Sequence, residues 1–389
     1  MVRRVLAFAL ALLVASALSL SPAPAHADGY EVWVVDQANP AQGGDRLYIF
    51  SQDAWGEPRE AHYLWERAEG VGDGPGTRPH LLTFNTSHSH GLLANVASGH
   101  VYVIRTSDRA LVASIDVGDQ AHGAIASADG SQILVSNQNG KKLARITADF
   151  TGERFSHDVA GDLDLAALEN PNQPDNAPIC PTMYVDGGAK AYVTLRGGGL
   201  YVVDTAATPM RVLREYARDQ IASAGCGGIV HNGKVYVNSG SPTDGAIYVF
   251  DSTTDDLLTT LPTGRYGTDA HGMVIVGGRY LWMSNCGDGD NIIVLDTATD
   301  EVVGQIDGVG AAPDLLDISP SGDLVFATLR GPKNLTGGPS AVGETPGVAV
   351  LRVDGDGRTG KPIDFIPIGM QGPASPADPH AVAVRRVLP

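Results

Sequence analysis

One phrase recurs along this chain about every 40 residues, and it leaves few folds open. A small residue or a histidine opens an apolar strand, a Gly-containing turn follows, and a second apolar strand comes next. A third strand then ends near Asp, and a polar turn leads to a fourth. One copy runs His122-Gly-Ala-Ile-Ala-Ser-Ala-Asp-Gly, then Gln132-Ile-Leu-Val, then Lys142-Leu-Ala-Arg-Ile. Another runs His271-Gly-Met-Val-Ile-Val, then Tyr280-Leu-Trp-Met, then Ile292-Ile-Val-Leu-Asp, then Glu301-Val-Val-Gly-Gln-Ile. Further copies start near His80, Cys180, Cys226 and Asp314. Third strands such as Leu200-Tyr-Val-Val-Asp204 and Ile247-Tyr-Val-Phe-Asp251 stop at an Asp-Ser/Thr turn, as half-buried strands do.

Four short strands per repeat predict an all-β fold, a seven-bladed β-propeller. The 48 glycines and 24 prolines agree, because they punctuate short apolar runs with no collagen-like period. There are six complete copies and two fragments. The C-terminal fragment, from His380 to Val387, is a first strand with nothing after it. The N-terminal fragment supplies three strands, Glu31 to Asp36, Arg46 to Phe50 and Ala61 to Trp65. One plus three makes the last blade, so the C-terminal strand and the N-terminal strands close the ring without an unpaired edge. Long inserts from Phe150 to Ile179 and from Gly331 to Val348 leave six and eight blades as alternative counts. Inserts rich in Gly, Pro, Asn and Asp read as surface loops of a binding face.

The phrases Pro379-His380-Ala-Val-Ala-Val, Pro313-Asp-Leu-Leu-Asp-Ile-Ser-Pro-Ser-Gly322 and Ser127-Ala-Asp-Gly130 resemble the YVTN family of propeller repeats. That resemblance covers nearly the whole chain after residue 27. It implies the fold and leaves the activity open.

The first residues predict export. Arg3 and Arg4 precede an apolar run from Val5 to Leu20, and Ala25-His26-Ala27 is a small-x-small cleavage site. A signal peptide over 1–27 would leave residues 28–389 as one propeller domain. Loss of Arg3 and Arg4 takes the formal charge from −17 to −19. Such a surface argues against nucleic acid and anionic membranes and draws cations. No later stretch approaches the ~20 apolar residues of a membrane span. The expected protein is a secreted or periplasmic monomer whose partner is a metal ion, a small molecule or another protein.

In a propeller the first strands lie nearest the axis, so their opening residues gather at one mouth of the central channel. Aligned on their Gly turns, these are His80, His122, Cys180, Cys226, His271, Asp314 and His380. Imidazole and carboxylate converging from several strands suit Zn²⁺ or Cu²⁺, which makes His80, His122, His271, Asp314 and His380 candidate ligands. His88 and His90, between the first two strands of their blade, are candidate extra ligands above the same mouth. The bland alternative is that these histidines bond neighbouring backbone and stabilise blade junctions. Cys180 and Cys226 are expected to form a disulfide in an oxidising compartment, with soft metal ligation as the alternative. Cys286 would then be a free thiol on a second-strand turn.

No nucleophile elbow, P-loop or dinucleotide fingerprint occurs. Three function classes remain. The first is an exported carrier or sensor of zinc or copper. The phrases His122-Gly and His271-Gly are similar to those of periplasmic zinc-chaperone propellers, which implies metal handling, although the chain has no His-rich acidic segment near residue 28. The second is a lactonase-like hydrolase or a lyase at the same mouth, a His serving as general base and His231, Arg265 and Arg196 touching substrate. The third is an interaction scaffold.

Overall fold

The computed structural model describes residues 29–38, 46–52, 60–63, 77–168, 170–223, 225–240 and 245–387, with backbone alone at 60–63 and 180–183. The expected signal peptide and Trp65 lie outside the described residues. The described residues form seven antiparallel sheets and no α-helix. Six sheets take their strands from one stretch of chain, in sequence order from the axis outward. Blade 1, for example, is Pro79–Phe84, His90–Asn95, His100–Arg105 and Leu111–Asp116. The others open with Ala121–Ala126, Pro178–Val185, Gly228–His231, Ala270–Val276 and Pro313–Ile318, blades 2 to 6 in turn.

Blade 7 is assembled from both ends. The C-terminal strand Pro379–Arg386 pairs with Tyr30–Asp36, which pairs with Arg46–Ser51, which pairs with Glu60–Tyr63. The registers Val32↔Val384 and Val34↔Val382 place apolar side chains opposite one another. The first strands touch in a closed cycle, each packed on the next and the C-terminal strand on Pro79–Phe84. Seven blades, with the closure the sequence predicts, is therefore the architecture.

Burial follows depth. The second and third strands of blade 5, Tyr280–Asn285 and Asn291–Asp296, are buried throughout, whereas fourth strands such as Leu257–Pro262 alternate. Sandwiched between blades, the middle strands bury both faces and so read as continuous apolar runs. In blades 2 to 6 the third strand ends in Asp, and in blades 3 and 4 that Asp builds the turn after it. Asp251 accepts the N–H groups of Thr253 and Thr254, and Asp204 those of Ala206 and Ala207.

A second device ties blade to blade at the core. The fifth residue of the second strand bonds the chain entering the next blade. Thr194 Oγ1 donates to the Gly225 carbonyl at 2.6 Å, Asn238 Nδ2 to that of His271, Ser284 Oγ to that of Asp314, and Thr328 Oγ1 to that of His380 at 2.7 Å. These clasps satisfy carbonyls that the sheets leave unpaired.

Candidate metal centre

In every blade but the fourth, the first strand is bulged at its opening residue. In blade 1 the pairing passes from Pro79↔Asn95 to Leu82↔Leu93, so His80 and Leu81 stand opposite one residue. The slip recurs at His122, at Cys180, at His271, at Asp314 and at His380. A bulge re-aims the side chain at the extra residue, and bulges concentrate at sites for that reason. The small residue after His matters as much. A Cβ on Gly272 would lie 2.6 Å from the Asp314 carbonyl oxygen and the Leu316 nitrogen. Only glycine there lets the first strands of blades 5 and 6 close on one another.

The structure brings His80, His122, His271, Asp314 and His380 together, all five buried. The ring centroids of His80 lie 3.8 Å from His380 and 4.2 Å from His122, and His271 and His380 are 6.2 Å apart. His271 Nε2 is 3.5 Å from Asp314 Oδ1, and His380 Nε2 is 3.8 Å from Asp314 Oδ2. One ligand atom from each of His271, Asp314 and His380 lies within 4.8 Å of the other two. Among the described residues, His80 Nε2, His122 Nδ1, His380 Nδ1 and Asp314 Oδ1 have no hydrogen-bond partner. Buried polar atoms usually do.

Four residues not singled out by the sequence complete the centre. Arg330, 0 % exposed, forms a bidentate pair with Asp378 at 2.7 and 2.9 Å and a third bond to Asp314 Oδ2 at 2.9 Å. Gln37 links Asp378 to the ring, donating to its carboxylate at 3.0 Å and facing His80 Nδ1 through Oε1 at 3.1 Å. Asp269 Oδ1 lies 3.3 Å from His271 Nδ1.

The signal that could have found them is positional. Gln37, Arg330 and Cys286 each directly follow the second strand of a blade, where an antiparallel hairpin returns to the mouth it left. Asp269 and Asp378 stand two residues before the opening residue of their blades.

Burial sets the charge states. It pulls His80 and His380 well below the usual histidine range, helped by neighbouring imidazoles and Arg330, and it lowers His122 to about 3. These three rings are neutral, the form that ligates metal. At His271 the same burial is outweighed by Asp314 and Asp269, and its pKa rises. Burial raises Asp314 despite His271 and Arg330, and it lifts the Cys286 thiol well above its ordinary value.

The insert between Leu324–Leu329 and Gly347–Asp354 covers this centre. Leu335 N–H donates to Asp378 at 2.7 Å, Gly338 N–H to Asp269 at 2.9 Å, and Arg330 to the Thr336 carbonyl at 2.9 Å. The loop is thus held by the carboxylates beneath it. Beside the ring is a cavity of about 310 Å³ lined by Gln120, Gln138, Arg196, Asp269 and the four histidines. At the opposite end of the axis is a larger funnel of about 660 Å³.

Other expected residues fall elsewhere. His88 and His90 do not join the ring. A six-residue strand spans ~20 Å, so the turn after it lies at the far end of the blade. His88 lines the larger funnel and stacks on Phe84, while His90 Nε2 pairs with Glu153 Oε1 at 3.2 Å. His231 sits at the same far end, facing the Gly278 carbonyl at 3.1 Å. Arg265 covers Tyr266 in a separate depression. Arg196 reaches the cavity but is paired with Asp175 at 2.8 Å. Cys226 is buried, and the side chain of Cys180, its expected partner, lies outside the described residues. Cys286 is free in the turn after its second strand, as expected, and is buried beside Asp269 and His271.

No family model matches the sequence, and no curated protein matches it. Solved structures do. A periplasmic gluconolactonase from Pseudomonas aeruginosa superposes with a TM-score of 0.64 at 16% identity, covering 92% of this chain and 99% of that one. A Bacteroides uniformis structure, described as a candidate 6-phosphogluconolactonase, gives 0.67 at 12% identity over 92% and 100%. The Kuenenia stuttgartiensis hydrazine synthase gives 0.59 at 14% identity over 79% and 95%. At such identities the likeness shows the fold alone, and the activities printed for these neighbours differ from one another.

Proposed function

We propose that this protein is an exported propeller that binds one divalent transition metal ion, zinc or copper, at the buried axial mouth. His271, Asp314 and His380 are the ligands of this reading, with His80 and His122 as neutral imidazoles packed against them. The observation that carries it is the convergence of one ligand atom each from His271, Asp314 and His380 within 4.8 Å of one another, all three buried. Four imidazole nitrogens and one carboxylate oxygen of the ring have no hydrogen-bond partner among the described residues. Leaving such an atom unpaired costs ~1–3 kcal/mol, and an ion held by His271, Asp314 and His380 would satisfy Asp314 Oδ1 among them. Three protein ligands with one position open to a cavity also suit a site that releases or presents its ion. Three carboxyl groups, Asp269, Asp314 and Asp378, surround the single guanidinium of Arg330, so a cation also improves the charge balance of the centre.

A second reading is favoured by the cavity of about 310 Å³ beside the ring. Its size and the histidine, glutamine and arginine side chains at its wall suit a small hydroxylated substrate, and two of the fold neighbours are described as lactonases. In that reading the same centre opens a lactone or ester. Metal analysis of untagged protein, compared with a His271→Ala/His380→Ala double variant, tests both. Wild type should carry zinc or copper and the variant should not. A wild type that neither carries nor takes up either metal overturns the carrier reading. Turnover of small lactones that is lost in the double variant would establish the second.

A further inference from the structure

His271 presents its two ring nitrogens to two different clusters of ligand atoms. Nε2 faces Asp314 Oδ1 at 3.5 Å, and Asp314 stands with His380. Nδ1 faces Asp269 Oδ1 at 3.3 Å on the other side of the ring, and it is buried with no hydrogen-bond partner among the described residues. Ligand atoms of Asp269, His271 and Cys286 lie within 4.8 Å of one another, all three residues buried. Two sets of three donors therefore share one imidazole.

We propose that His271 bridges two metal ions, the second held by Asp269 and the Cys286 thiolate. This rests on the metal reading of the first set. The two sets differ in chemistry: the first offers imidazole and carboxylate, whereas the second adds a thiolate, which favours zinc or copper over harder cations. The second position is built in other respects too. Asp269 Oδ2 is fixed by the Gly338 N–H at 2.9 Å, which turns Oδ1 towards His271. The Cys286 N–H donates to the Asp269 carbonyl at 2.9 Å, locking the two ligands' backbones together. Ala312 and Ala341 pack on Cys286, so the 331–346 loop seals this side from water.

Proton balance follows from the donors. Binding the second ion takes one proton from the Cys286 thiol, and a bridging His271 gives up the proton on each ring nitrogen, all passing to solvent. The charge left by the thiolate, the imidazolate and Asp269 is what the second ion neutralises, next to Arg330, which already serves Asp314 and Asp378.

The test is reconstitution of chelator-stripped, untagged protein with Co²⁺, read by metal analysis and absorption. Two ions per chain and a thiolate-to-cobalt charge-transfer band in the near ultraviolet are expected. Cys286→Ser should lose the band and one ion, His380→Ala should lose the other ion and keep the band, and both should melt as cooperatively as wild type. The wild-type spectrum decides the matter even if a variant fails to fold. One ion per chain without the band overturns the bridge and leaves the first set standing. One ion with the band overturns the bridge and also moves the ion off the first set. No bound cobalt overturns both.

Discussion

Arg330 is the residue whose loss should cost most at the centre. Its guanidinium is fully buried and holds Asp378 in a bidentate pair, Asp314 through a third bond, and the Thr336 carbonyl of the covering loop. Arg330→Met keeps most of the side-chain volume and removes every one of those donors. Breaking a buried ion pair from one side costs ~3–5 kcal/mol, because the remaining charge stays desolvated. Here two carboxylates are left, so the upper half of that range applies. Unfolding entropy of ~2.1 cal/mol/K per residue over roughly 360 residues gives about 0.76 kcal/mol per degree, so the melting temperature should fall by about 5–7 °C. Calorimetry on metal-free protein measures it. Limited proteolysis adds a local readout, since a loop deprived of the Thr336 anchor should be cut within 331–346 sooner than in wild type. A melting temperature within a degree of wild type, with unchanged cleavage, would refute the idea that this cation organises the centre.

Three other outcomes are expected. Ala383→Pro removes a ladder N–H opposite Trp33 in the strand that closes the ring; it should cost ~3 kcal/mol or more in urea unfolding, and a wild-type midpoint would argue against closure through blade 7. Asp317, lifted to about 6 by burial, accepts the Val384 N–H from the closing strand at 2.6 Å. A carboxyl raised in the folded state binds its proton more readily there, so wild type should gain stability over Asp317→Asn as pH falls from 7 to 4, by about 1–3 kcal/mol; a flat difference in unfolding free energy refutes the shift. Cys286 should ignore a thiol reagent in the folded protein, because burial both hides it and raises its pKa. Unfolding without reductant should then expose one thiol if Cys180 and Cys226 are paired, and three if they are not.

The repeat made the fold legible because the blades restate the same local physics: apolar middle strands, Gly turns and, in blades 2 to 6, an Asp at the end of the third strand. The opening ring was legible for the same reason, since His80, His122, His271, Asp314 and His380 hold equivalent positions. What stayed hidden were groups placed by a second equivalence. Arg330, Cys286 and Gln37 follow second strands, and in the sequence they look like ordinary turn residues because their neighbours come from other blades. Arg330 reaches Asp378 across 48 positions, and Gln37 reaches it across 341. His88 and His90 misled in the opposite direction, being close to His80 in sequence but a full strand length away from the mouth. Proximity along the chain carries little information in a fold whose site is drawn from blade openings.

The clasps between blades have a direction. Thr194 grips blade 4, Asn238 grips blade 5, Ser284 grips blade 6 and Thr328 grips blade 7, each through the chain at the next blade's mouth. In blades 4 to 7 the chain at the opening residue is therefore held by the blade before it. Thr328 thereby sets where His380 sits, although it touches no ligand atom, and the backbone of Asp314 answers to a serine in blade 5. Tuning the centre need not involve the residues that face it: the upstream neighbour is the handle.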